Sequence, residues 1–75
     1  MKKNIQLTKR ELEVLTFINR AIDRKNMAAI MGISINTLDK HIFKIHRKTN
    51  THSTAELIIW CIENGYFSLI AEKTV

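Results

Sequence analysis

A chain of 75 residues holds enough apolar side chain for one modest core and not for two. Its 45% apolar content excludes a disordered tail, and its formal charge of +5 suits a polyanionic partner, because each neutralised phosphate releases condensed counterions. Cys61 is the only cysteine, which excludes an internal disulfide and argues against a small secreted domain.

The chain has no proline, and its only glycines are Gly32 and Gly65. So few breakers favour helices over a many-turned β fold. Lys2 and Lys3 are not followed by an apolar h-region, since Gln6, Thr8, Lys9 and Arg10 interrupt it. No secretory signal is therefore expected, and a reducing cytoplasm is the expected location. The longest apolar run, Leu57 to Ile62, is too short to span a bilayer, so no membrane role is expected.

Four helices can be read from their start signals. Thr8-Lys9-Arg10-Glu11 is a capping box, in which the Thr hydroxyl and the Glu carboxylate each accept a backbone N–H of the other residue. Val14, Leu15, Ile18 and Ile22 then recur at helical spacing, with Leu7 placed to staple onto that face. Asp23 is a good cap for a second helix, whose inward stripe is Met27, Ala28 and Met31. Gly32 suits the left-handed residue that closes it.

Ser34 caps a third helix, read over about residues 35–49. Leu38, His41, Ile42, Ile45 and Thr49 lie on one face, with Lys40, Phe43, Lys44, Arg47 and Lys48 mostly on the others. Asn50 can end it in the left-handed conformation. Ser53-Thr54-Ala55-Glu56 reads as a second capping box, starting a fourth helix that runs to about Asn64 and stops at Gly65. An alternative stays open there. Leu57 to Ile62 also reads as a strand, with Asn64-Gly65 turning into Tyr66-Phe67-Ser68-Leu69-Ile70 to form a hairpin wing. The capping box favours the helix.

The second and third helices are joined by Gly32-Ile33-Ser34, a short Gly-containing turn of the helix-turn-helix kind. Here Gly32 reverses the chain, Ile33 serves as a buried plug and Ser34 caps the next helix, while Ala28 is small enough to let the helices approach. Lys40, Lys44, Arg47 and Lys48, against a lone Asp39, give the third helix the cationic composition needed between two phosphate backbones. The fourth helix is apolar around its whole circumference from Leu57 to Ile62. One face can pack on the domain's own core and the other needs a partner, for which a homodimer is the economical answer.

Metal and enzyme chemistry are not expected. His41, His46, His52 and Cys61 are the only soft ligands, and His41 and His46 diverge on a helix. There is no glycine-rich phosphate loop or nucleophile elbow, and Glu11 and Glu13 read as a cap and a surface charge. No catalytic residue, metal or cofactor is assigned.

An ordered set of residues resembles the LuxR-type (GerE-like) DNA-binding domain. It comprises Leu7-Thr8-Lys9-Arg10-Glu11-Leu12-Glu13-Val14-Leu15, Lys25-Asn26-Met27-Ala28, Gly32 through His41, Arg47-Lys48 and Ser53, and it runs without gaps to about Phe67. The resemblance implies an all-α, four-helix helix-turn-helix domain occupying residues 1–75, with its core at about 7–67. It implies that the third helix enters the major groove, that the fourth makes a dimer, and that the domain acts in bacterial transcription, at the nucleoid. It also implies a backbone-phosphate contact for Lys25, another for Thr37, and a half-buried role for His41.

The residues expected at DNA are Lys25, Asn36, Thr37, Asp39, Lys40, His41, Phe43, Lys44, Arg47 and Lys48. Of these, Asp39 can accept from cytosine N4 and Phe43 can touch a thymine methyl. The residues expected at the dimer contact are Leu57, Ile58, Trp60, Cys61 and Asn64. The sequence departs from the family pattern at Asp39, where a basic or amide residue is usual, and at Thr49-Asn50-Thr51, where Leu-Gly-Val is usual. Leu12, Ile35 and Phe43 are apolar where the family is usually polar. These departures keep a second function open: a protein-interaction module on the same fold, acting on another regulator or on RNA polymerase.

Overall fold

The computed structural model describes residues 5–66. Four helices follow in order: α1 (Lys9–Asn19), α2 (Arg24–Met31), α3 (Ile35–Thr49) and α4 (Thr54–Glu63). Each starts where a capping side chain satisfies an orphan N–H. Thr8 Oγ1 accepts from Glu11 N at 3.1 Å, and Thr8 N donates to Glu11 Oε1 at 2.8 Å, which completes the capping box. Asp23 Oδ1 accepts from Asn26 N at 2.8 Å, and Ser34 Oγ from Thr37 N at 3.1 Å. The second expected capping box forms only by half. Ser53 Oγ accepts from Glu56 N, but the Glu56 carboxylate takes the N–H of His52 at 2.7 Å instead of that of Ser53. Ser53 itself is extended, at φ −150°, and this carries its own N–H away.

The helix ends follow the same logic. Gly32 at φ 70° and Asn50 at φ 56° both take the left-handed conformation expected of them. Gly65 does so at φ 81°, just past α4. Ala21 also sits there, at φ 59°, and it carries no such sequence signal. Its turn ends α1 at Asn19 and leaves Ile22 in the connection, where its N–H donates to the Phe17 carbonyl at 3.0 Å.

The core is formed by Val14 and Leu15 of α1, Met27, Ala28 and Met31 of α2, Leu38 and Ile45 of α3, and Leu57 and Cys61 of α4. Helix α3 packs on each of the other three and so occupies the centre of the fold. Leu7, Ile18, Ile22 and Ile33 close the edges of this core; Ile33 is half-buried rather than fully enclosed. The segment Leu57–Ile62 is helical, so the strand alternative fails there, and the far half of that hairpin, Phe67 to Ile70, lies outside the described residues. No described helix is long and apolar enough to cross a membrane.

Candidate nucleic-acid interface

Helix α3 divides into two faces because its core residues recur at helical spacing. Leu38, Ile45 and Thr49 are buried, and Ile42 is half-buried beside them. On the opposite face Asn36, Lys40, Phe43, Lys44 and Arg47 are exposed. Thr37 is exposed near the start of the helix, its hydroxyl accepting from Ser34 Oγ at 3.0 Å. His41 and Asp39 are half-buried at the flanks. Among the described residues, Lys25, Lys40 and Lys44 have no ion-pair partner.

The cations are placed with reference to the helix dipoles. Arg47 and Lys48 occupy the last turn of α3, where the dipole favours positive charge. Arg24 and Lys25 occupy the first turn of α2, where it disfavours positive charge but favours a bound phosphate. The Arg47 guanidinium lies 5.9 Å from the Phe43 ring centroid, a cation–π approach worth about 0.5–1 kcal/mol at an exposed site. Lys44, Arg47 and Lys48 flank a shallow cleft of about 310 Å³.

Two expected contact residues are engaged within the domain. Lys48 Nζ donates to Glu11 Oε1 at 2.8 Å and to the Gln6 carbonyl at 3.0 Å, tying the end of α3 to α1. Glu11 is only 2% exposed. Burial alone would raise its pKa; the Lys48 hydrogen bond, the Thr8 N–H and the Lys48 charge outweigh it and hold the carboxyl below its usual range. Lys48 therefore has one N–H left to offer outward. Asp39 is held from α2, with Arg24 Nε donating to Oδ1 at 3.0 Å and a terminal nitrogen to Oδ2 at 2.8 Å.

The departure at Thr49-Asn50-Thr51 is absorbed by hydrogen bonding instead of apolar packing. Thr49 Oγ1 donates to the Ile45 carbonyl at 2.9 Å and lies 2.9 Å from Thr51 Oγ1, which in turn lies 2.7 Å from His46 Nδ1. Both threonines are buried, and no described buried side-chain polar atom lacks a partner.

Helix α4 corrects part of the expected dimer contact. Leu57 and Cys61 are buried in the core, four residues apart on one face, and have no surface to offer a second chain. Ile58 and Trp60 are half-buried; Trp60 stacks on Tyr66 with centroids 5.3 Å apart, and Asn64 is exposed. The outward apolar residues are Ile59, 54% exposed, and Ile62, 61% exposed. Burial pushes the Cys61 thiol up to about 11, and no described group of three His, Cys, Asp or Glu residues is arranged to hold a metal.

The Arg24 fork and the Glu11–Lys48 strut escape sequence reading, since neither pair has a local period to mark it. Ile59 and Ile62 escape it because an all-apolar circumference has no stripe to phase.

The family described as GerE, bacterial regulatory proteins of the luxR family, matches residues 5–61. The chain is 35% identical over 61 residues to the probable transcriptional regulator ycf29 of Cyanophora paradoxa, covering 81% of this chain and 29% of that protein. It is 28% identical over 61 residues to the response regulator Rre1 of Synechocystis sp., covering 81% of this chain and 26% of the relative. Among solved structures, the phage VqmA–DPO complex aligns with a TM-score of 0.80 at 32% identity, covering 91% of this chain and 31% of that one. The chain thus spans about a third or less of the length of these relatives.

Proposed function

The chain belongs to the luxR family of bacterial regulatory proteins, and from that premise we propose that it binds specific DNA sequences by inserting α3 into the major groove, as a symmetric dimer joined through α4. The observation that carries this reading is the concentration of exposed cations without ion partners, Lys40 and Lys44, on the face of α3 turned away from the core, with Lys25 at the start of α2. Lys25, Thr37, Arg47 and the remaining Lys48 donor hold phosphates and set the register. Lys40, Phe43 and Asn36 approach base edges. The exposed Ile59 and Ile62, with Asn64 at the end of the helix, form the contact between copies. The working location is the bacterial nucleoid.

Selection of bound duplexes from a random library tests this. The expected product is a palindromic motif whose half-sites lie about one helical turn, roughly 10 base pairs, apart. Failure to enrich any sequence defeats the reading, and enrichment of single, non-palindromic half-sites defeats its dimer part. A second reading is favoured by the exposed apolar side chains Leu12, Ile30 and Ile35: contact with another regulator or with RNA polymerase. Pull-down of polymerase core by the wild-type chain, lost on Ile30→Glu or Ile35→Glu, is its expected signature.

A further inference from the structure

We propose that Arg24 is a positioning residue for base recognition: it holds the Asp39 carboxylate on α3 as a charge-cancelled acceptor that selects cytosine at one base pair. The inference rests on the DNA-binding reading above.

Asp39 is the only acidic residue on a helix that also carries Lys40, Lys44, Arg47 and Lys48. A bare carboxylate there would be repelled by both phosphate backbones. The structure resolves the conflict with a residue fifteen positions upstream. Arg24, the first residue of α2, meets Asp39 fork to fork at 3.0 and 2.8 Å. The pair has no net charge, so the repulsion is cancelled where it arises. The planar two-bond geometry also fixes the carboxylate's orientation, which a single lysine partner would not do.

The fork leaves Asp39 able to read. A carboxylate has about four acceptor sites, and Arg24 takes one on each oxygen. The Asp39 side chain is 46% exposed and that of Arg24 58%, so the remaining acceptor sites are open to an approaching group. In the major groove the group matching an acidic acceptor is the cytosine N4 amino group. No proton moves and no bond forms beyond that hydrogen bond. Because the fork ties the start of α2 to α3, it also fixes the acceptor relative to Lys25, whose ammonium follows Arg24 on the same helix turn.

The test is library selection with sequencing on the wild type, R24Q, R24K, D39N and the double variant R24Q/D39N, with thermal melts confirming that each folds. The wild type should enrich cytosine at one position of each half-site, with a discrimination of roughly fivefold to tenfold. D39N should lose that preference while keeping or raising general affinity. R24Q should weaken the preference and lower affinity for every duplex, because it exposes the carboxylate. R24Q/D39N should recover the general affinity without the preference. R24K should recover affinity more than preference, since it restores the charge without the fork. That separation is what a merely structural bridge would not produce. The same cytosine preference in D39N as in wild type, or an undiminished preference in R24Q, overturns the proposal even if one of the other variants fails to fold. A wild-type chain that selects a clear motif lacking any such cytosine also overturns it while leaving DNA binding intact. A wild type that enriches nothing defeats the DNA-binding reading and this inference with it.

Discussion

Lys48→Met isolates the strut between α3 and α1. The substitution keeps most of the side-chain stem and removes the ammonium that meets Glu11 Oε1 at 2.8 Å and the Gln6 carbonyl at 3.0 Å. Breaking a fully buried pair by deleting one partner costs about 3–5 kcal/mol. Here Glu11 is buried but the Lys48 side chain is 35% exposed, and Glu11 keeps the N–H of Thr8. The lower figure for a lost hydrogen bond to a charged group, about 2 kcal/mol, is therefore the better one. In a domain this small that is a fall in Tm of about 8–16 °C at pH 7. The pH dependence has a definite sign. Glu11 has a folded-state pKa lowered from its ordinary 4.5, so its stabilisation is complete above that value and is lost as pH falls through the lower, folded one. The difference in Tm between wild type and Lys48→Met should thus be constant near neutrality and shrink in acid below about 4.5. Circular-dichroism melts across that range measure it. A variant that melts with the wild type at pH 7, or a gap unchanged in acid, refutes the strut.

Ala21→Gly should stabilise the domain by about 0.5–1 kcal/mol, the relief of a left-handed alanine less the entropy of glycine, and a lower Tm would contradict the strain assigned at φ 59°. Lys25→Ala and Arg47→Ala should each flatten the salt dependence of DNA binding by roughly one unit, with a smaller change for Lys48→Met because two of its donors are held inside the domain. An equal effect at all three would mean that Lys48 leaves Glu11 on binding. Ile59→Glu or Ile62→Glu should split the dimer at an unchanged monomer Tm in equilibrium sedimentation, whereas Leu57→Glu should unfold the chain. A wild type that stays monomeric at the highest concentration removes the dimer.

What the residues disclosed in advance was local. Thr8, Asp23, Ser34 and Ser53 announce helix starts because a short polar side chain satisfies an N–H within three residues, and all four do so. Gly32 and Asn50 announce stops because they tolerate positive φ; Ala21 does not announce one, since alanine takes that conformation only when the surroundings impose it. The inward stripes of α1 and α3 were legible because polar residues interrupt the apolar ones at helical spacing; in α2, Ala29 and Ile30 are apolar as well but lie exposed, outside the stripe of Met27, Ala28 and Met31. Helix α4 was legible as a helix but not in phase: from Leu57 to Ile62 every residue is apolar, and only packing against the other helices selects Leu57 and Cys61 over Ile59 and Ile62. The ion pairs were hidden for the same reason, because Arg24 meets Asp39, and Glu11 meets Lys48, only once the helices are docked.

These pairs give α3 a property that its own sequence lacks. Taken alone, the helix carries an acidic residue in its second turn and a cluster of cations toward its end, each free to move with its side chain. In the fold, Asp39 is held near the start of the helix from α2 and Lys48 is held at its end from α1, so the helix is braced at both ends by side chains from the elements that flank it. Between these braces Lys40, Phe43, Lys44 and Arg47 remain exposed. A surface that must meet fixed groups on a rigid duplex loses less freedom on binding when its scaffold is already ordered. The two braces differ in kind, which keeps their roles separable. The Glu11–Lys48 strut has a buried partner and should contribute mainly to stability, whereas the Arg24–Asp39 fork is exposed on both sides, a setting where ion pairs contribute only about 0–1 kcal/mol. Breaking the first should therefore register in melting and breaking the second in base preference, and a variant set that reversed that assignment would show that the braces had been given the wrong roles.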